Sequence, residues 1–258
     1  MSPEFLTVLG RQLEVRELPG EQSGPTLVLL HEGLGCVAMW KDFPDQLNQR
    51  TGLPVFTYSR FGYGGSAPEP LPWPVDFHTR EAREVLPAVL DAAAVEQCIL
   101  IGHSDGASIA LINAGAVNDS RILAVAALAP HVCCEQRCRD QVGAAVEAYE
   151  HGQLADGLGR YHGDNLECAF RGWSETWRDP DFESWDISHH LDAIKVPMLA
   201  VRGLDDPYNT PVHVNALGAR GASVHQLAQC AHAPHVEQRD QVLDLLAAFI
   251  ARVQRARA

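Results

Sequence analysis

Residues 97–117 read QCILIGHSDGASIALINAGAV, and this stretch decides how the chain is read. Its first six residues, QCILIG, form a continuous apolar run of strand length, as in a strand buried on both faces. Gly106–Val117 is rich in small and apolar residues and predicts a helix. Between the two, Gly102-His103-Ser104-Asp105-Gly106 fits the pattern G-x-S-x-G. A strained strand-to-helix turn of this kind holds a serine hydroxyl clear of the backbone. Glycine flanks it because a Cβ at either position would clash across the turn. The helix N-terminus behind Ser104 favours negative charge developing there. Ser104 is therefore the candidate nucleophile. The bland reading is an ordinary glycine-containing turn, and the strand–turn–helix context weighs against it.

Outward from this stretch, apolar runs alternate with helical segments. Upstream lie strands Thr26–Leu30 (TLVLL) and Pro54–Ser59 (PVFTYS), with helical spacing over Asp42–Arg50 and Asp76–Ala94. Pro87 predicts a kink inside the second helix. Residues 5–9 and 13–17 alternate around Gly10-Arg11 and predict a hairpin. Downstream, Arg121–Ala129 is a fourth buried strand. The alternation then stops between about Cys133 and His190, where helical stretches occur without a strand run. It resumes with strand Pro197–Arg202, helix Pro211–Gly218, strand Ser223–Leu227 and helix Val236–Arg252. Such an order predicts an α/β fold with a mostly parallel sheet covered on both faces and a helical insertion.

At this point the chain resembles the α/β-hydrolase family. The likeness lies in LVLLHEGLG, YSRFGYGGS, LIGHSDG, VRGLDDPYNTP and CAHAPHVE, in the family's order and over nearly the whole length. The resemblance implies a hydrolase core over 1–132 and 191–258 and a helical cap, or lid, over 133–190. It also implies a triad in the order Ser, Asp or Glu, His. The family's acid sits in a segment like G-x-x-D, which matches Asp206, with adjacent Asp205 as the alternative and a turn or cap residue as its plainer reading. The family's histidine matches His232, with Ala231 where glycine is usual; His235 reads as structural. The family's oxyanion hole carries over to the backbone N–H groups of Asp105 and Gly33, with Trp40 in register further on. Glu32 departs from the family, which has glycine there. The preferred reading pairs it, buried, with the basic loop around Arg60; otherwise it reaches the pocket and tunes specificity.

The expected chemistry is that of a serine hydrolase acting on a small carboxylic ester or lactone. His232 takes the Ser104 proton, Asp206 orients the imidazole, and an acyl-enzyme forms and is released by water. In the insertion, Tyr149, Tyr161, Phe170, Trp173, Trp177 and Trp185 concentrate aromatic area. At least half should form the insertion's own core. Trp173 and Trp177, four apart, are the candidates for the pocket, together with His131 at the end of a strand.

Other readings compete. Carbon–carbon bond hydrolases of ring-cleavage products typically carry Trp after the histidine, whereas Ala233 follows His232. Dehalogenases and epoxide hydrolases of this fold use an Asp nucleophile, against Ser104. A cofactor-free perhydrolase would share the triad, and a ligand receptor can retain one without turnover. The loop Phe61–Ser66 is glycine-rich but lacks the Lys-Ser/Thr ending of a phosphate loop.

Composition bounds the rest. The chain has 258 residues, 20 basic and 33 acidic, giving a net charge of −13. That balance argues against nucleic acid or an anionic membrane as partner, leaving a small molecule, with a homodimer left open. No 18-residue apolar run and no basic-then-apolar N-terminus is present, so a cytoplasmic location is expected. The seven cysteines, scattered and odd in number, read as free thiols. No metal site is expected, since no CxxC occurs and His232-x-x-His235 has no third ligand placed with it. No cofactor is implied.

Overall fold

In a computed structural model, which describes residues 4–257, the N-terminal hairpin is β1 (Glu4–Val8) and β2 (Arg11–Leu18). Residues 1–3 and 258, assigned above to the core, lie outside the described residues. β2 runs antiparallel to β4 (Val55–Tyr58), and from there the sheet is parallel: β3 (Thr26–Leu30), β5 (Cys98–His103), β6 (Ile122–Leu128), β7 (Met198–Gly203) and β8 (Ser223–Leu227). The spatial order is β1-β2-β4-β3-β5-β6-β7-β8.

The inner strands are predominantly apolar because both faces are covered. Val28, Leu30, Leu100, Val125, Ala127 and Ala200 point to one core layer; Leu27, Leu29, Ile99, Ile101, Ala126, Leu199 and Val201 point to the other. The second layer is closed by α1 (Phe43–Thr51) and α11 (Arg239–Arg255). The first is closed by α3 (Leu86–Ala92), α4 (Asp105–Ile112) and α9 (Val212–Gly218), while α2 (Phe77–Arg80) places Phe77 in a smaller cluster with Tyr63, Trp73 and Ala169. Every residue of α4 is buried, which explains its lack of a polar face.

The long helix expected over Asp76–Ala94 is not regular. A π-helical turn, Glu81–Val85, separates α2 from α3 just before Pro87, which can donate no backbone hydrogen bond. The Ala82 carbonyl in that turn accepts instead from buried Asn113 Nδ2 at 2.8 Å. Asn113–Val117, beyond α4, forms a second wide turn.

Between β6 and β7 the chain forms α5 (Gln136–Glu150), α6 (Gln153–His162), α7 (Leu166–Arg178) and α8 (Ser188–Leu191). The first three enclose a local core of Cys138, Val142, Leu158, Phe170, Trp173, Trp177 and Phe182. Of the six aromatics singled out above, Tyr149 stacks on Phe170 at 3.7 Å, Trp185 stacks on Phe182 at 5.1 Å, and Tyr161 is exposed. Ile187 and Leu191 pack into the first core layer. A short α10 (Pro234–Glu237) precedes α11. All seven cysteines are free. Among the described residues, no helix is long and apolar enough to cross a membrane.

The carboxyl ends of the parallel strands lie along one edge. Leu30 pairs with Gly102, His103 with Leu128, Leu128 with Val201 and Gly203 with Leu227. The loops that leave this edge carry Gly33, Ser104, His131, Asp206 and His232, so five separate sequence segments converge on one crevice.

Candidate active site

Ser104 occupies the turn between β5 and α4 with φ 52° and ψ −118°, a left-handed conformation that is strained for a residue with a Cβ. The flanking glycines make the turn sterically feasible. A Cβ on Gly102 would lie 2.3 Å from the Gly106 carbonyl oxygen, and one on Gly106 would lie 2.1 Å from that of Leu30. Ser104 is buried at the mouth of α4, whose first N–H belongs to Asp105.

A hydrogen-bonded chain runs from the serine. His232 Nε2 lies 3.0 Å from Ser104 Oγ, and His232 Nδ1 lies 2.8 Å from Asp206 Oδ2. Asp206 is fully buried, and its Oδ1 accepts from the backbone N–H groups of Tyr208 at 2.8 Å and Asn209 at 3.3 Å. Burial works against its charge, but the His232 ring and these two donors prevail and hold the carboxyl below its ordinary value. Asp205 is exposed and its N–H is spent on the Cys230 carbonyl at 2.9 Å, so of the two aspartates only Asp206 faces the histidine.

The loop after β3 is held by buried polar groups. Arg60 donates to the carbonyls of His31 at 2.7 Å and Glu32 at 3.1 Å, and its own N–H donates to His31 Nε2 at 3.0 Å. His31 Nδ1 then donates to the Glu32 carbonyl at 2.7 Å. Burial, with the Arg60 charge beside it, keeps the His31 ring neutral, its pKa far below the usual value. Gly33 follows, with the Trp173 indole against its Cα: a Cβ there would lie 2.2 Å from Nε1. Among the described residues, the N–H groups of Gly33 and Asp105 donate to no other group.

The pairing expected for Glu32 is corrected here. Among the described residues, the Arg60 guanidinium donates to main-chain carbonyls of the loop after β3 and not to the Glu32 carboxylate, which lies 3.3 Å from His103 Nδ1. A guanidinium satisfied by two carbonyls has no need of the carboxylate, and the Glu32 side chain is free to turn to the cavity edge, where it is 25% exposed. His103 itself was passed over in the sequence, although a histidine closing the apolar run CILIG is the signal that could have found it.

The cavity in front of Ser104 holds about 140 Å³ and is lined by Glu32, Gly33, Leu34, Asp105, His131, Cys138, Trp173, Trp177, Tyr208 and His232. All three weaker candidates, His131, Trp173 and Trp177, therefore face the same space as the serine. Trp177 is also packed edge-on against Phe182, Trp185 and His131, at 4.8, 5.8 and 5.2 Å. Burial keeps the His131 ring neutral, well below its usual value, with neighbouring histidines adding to the effect. The lining includes two carboxylates, of Glu32 and Asp105, and no Lys or Arg. Burial opposes the Asp105 charge, but His78, 3.2 Å away, and Arg60 hold its carboxyl below the ordinary value.

A sequence model described as the alpha/beta hydrolase family matches residues 27–245. No curated protein matches the sequence significantly. Among solved structures, the chain is similar to the enol-lactonase from Burkholderia xenovorans LB400, with a TM-score of 0.74 and 21% identity over 96% of this chain and 100% of the other. It is similar to an esterase from Exiguobacterium antarcticum, with a TM-score of 0.77 and 16% identity over 96% and 98%. A proline iminopeptidase from Mycobacterium smegmatis superposes with a TM-score of 0.74 and 18% identity over the whole of both chains. At these identities the likeness is one of fold.

Proposed function

The chain belongs to the alpha/beta hydrolase family, and from that premise we propose that it is a serine hydrolase cleaving small carboxylic esters or lactones through an acyl-enzyme on Ser104. The observation that carries the reading is the unbroken hydrogen-bonded chain Ser104–His232–Asp206, at 3.0 and 2.8 Å, opening into a cavity. His232 Nε2 accepts the Ser104 proton as Oγ attacks the substrate carbonyl. Asp206 fixes the tautomer with the proton on Nδ1 and stabilises the imidazolium that forms. The Gly33 and Asp105 N–H groups, free of other partners among the described residues, receive the carbonyl oxygen as it becomes an oxyanion. His232 returns the proton to the departing alkoxide, and water attacks the acyl-enzyme by the same route.

The charge of the lining favours an uncharged substrate. A substrate with its own carboxylate would meet Glu32 and Asp105 with no Lys or Arg to pair with. That weighs against the acidic ring-cleavage products taken by carbon–carbon bond hydrolases. The test is a panel of p-nitrophenyl esters, neutral lactones and a vinylogous diketone acid, run with wild type and Ser104→Ala. Turnover of the short neutral esters or lactones, lost by about 10³-fold or more in Ser104→Ala, is the expected result. Retained turnover in that variant, or turnover of the acid alone, contradicts the proposal.

A further inference from the structure

The chain Ser104–His232–Asp206 makes no use of the His103 imidazole, yet that ring touches two of the loops around it. His103 ends β5, one residue before Ser104, and is 3% exposed. On one side its Nδ1 lies 3.3 Å from Glu32 Oε2, in the loop that carries Gly33. On the other its Nε2 lies 2.7 Å from the carbonyl oxygen of His232. A carbonyl and an ionised carboxylate only accept hydrogen bonds, and a neutral imidazole has one N–H. Two such contacts at once therefore call for two ring protons.

We propose that Glu32 and His103 form a positioning pair, in which the His103 ring ties the oxyanion loop to the main chain of His232 and so sets the base and the Gly33 N–H relative to Ser104. This rests on reading Ser104 and His232 as nucleophile and base. The ring is inserted at the seam of three loops and bonds Glu32 on one side and the main chain of residue 232 on the other.

The surroundings support the charged form. Burial opposes a charge on His103, but the Glu32 carboxylate and the His232 carbonyl override it and raise its pKa. Burial likewise opposes the charge on Glu32, and His103 overrides it, holding the carboxyl far below its usual range. The other groups facing the ring are His235 at 4.6 Å and His232 at 5.3 Å between centroids, with the Asp206 carboxylate beyond. The next titratable or charged neighbours include the His31 ring on the Glu32 side, and His131 and Arg239 on the other. Burial pushes His235 down to about 3, so it stays neutral and does not repel a charged His103. A displacement of the base of about 1 Å lowers rate by up to about 100-fold without touching the substrate, which is the size of effect expected of a positioning group.

The deciding experiment combines kinetics with ¹⁵N NMR of selectively labelled histidine in the full chain, the His103 signals being assigned by their absence from a His103→Gln spectrum. In wild type the His103 ring carries protons on both nitrogens at pH 7. With p-nitrophenyl acetate, Glu32→Ala lowers kcat by about 10–100-fold and leaves KM within about twofold. Glu32→Gln restores most of that loss, because its amide can pair with Nδ1 of a neutral ring while Nε2–H still reaches the His232 carbonyl. A His103 ring that is neutral in wild type, or Glu32→Ala turning over at the wild-type rate, overturns the proposal. The ring measurement needs no turnover, so it decides even if Glu32→Ala does not fold. It also separates failure of this pair from failure of the esterase reading, which would show as no ester turnover in wild type.

Discussion

At the scale of single residues, the assignment of the acid is the sharpest choice between neighbours. Asp206 and Asp205 are adjacent, both follow β7, and the sequence alone separates them only by the family register. Their environments differ entirely: Asp206 is buried against His232 Nδ1, whereas Asp205 is exposed. If Asp206 is the acid, Asp206→Asn lowers kcat by about 10⁴-fold through loss of the correct tautomer, and Asp205→Asn stays within a few-fold of wild type. Steady-state kinetics of the two variants check this, and the reverse ranking moves the acid to Asp205. Ser104, Asp206 and His232 were each legible because a motif at a strand end announces them. Glu32 and His103 were not, since they are 71 residues apart and nothing in either local pattern names the other as partner. The Arg60 pairing expected for Glu32 failed for the same reason: a buried guanidinium can be satisfied by backbone carbonyls, which sequence patterns do not reveal.

The element scale is where α7 carries the most consequence. Trp173 and Trp177 stand on one face of it, and both line the cavity, but their surroundings assign them different duties. The Trp173 indole lies against Gly33, beside the proposed oxyanion site. Trp177 is 1% exposed and wedged among Phe182, Trp185, His78 and His131. If the helices after β6 act as a lid, Trp173→Ala raises KM for longer acyl chains more than for acetate, with a smaller change in melting temperature. Trp177→Ala instead lowers stability by about 3–5 kcal/mol, as for a large aromatic removed from a core. Chain-length profiles and melting temperatures of both variants test the pair. An unchanged ratio of short-ester to long-ester turnover in Trp173→Ala contradicts the lid reading. The strands were legible because each inner strand is an apolar run bounded by polar turns. The helices between β6 and β7 were legible only as a block, because short links such as His151-Gly152 join amphipathic segments without a strong break. Of the two wide turns, the first was legible only as a kink at Pro87, and the second, Asn113–Val117, was not, since Asn113 and Ala82 come together only through tertiary packing.

For the whole molecule, the buried imidazoles set how stability responds to acid. Burial lowers the pKa of His31, His131, His162 and His235, the last to about 3. Unfolded, each takes up a proton as pH falls through about 6.5; folded, each does so only at lower pH. Their contribution is full above about pH 6.5 and is lost as pH falls toward the folded values. His103, with a raised pKa, runs the other way: its contribution is present below about 6.5 and is lost as pH rises through the folded value. Asp206, with a depressed pKa, loses its contribution only below about pH 4. His190 is lowered by burial as well, while the buried Glu81 carboxyl, pushed up to about 7, runs with His103 and loses its contribution as pH rises through that value. Five lowered imidazoles against these two groups predict a melting temperature lower at pH 5 than at pH 7, read by calorimetry, and a flat response contradicts the prediction. The proposal that most of this architecture serves is a nucleophilic Ser104 activated by His232. Stoichiometric labelling with a fluorophosphonate, mapped by mass spectrometry of peptides, tests it most directly. One phosphonyl group per chain is expected on Ser104, formed far more slowly in His232→Ala and absent in Ser104→Ala. Labelling at another residue, or labelling that persists in Ser104→Ala, would contradict it.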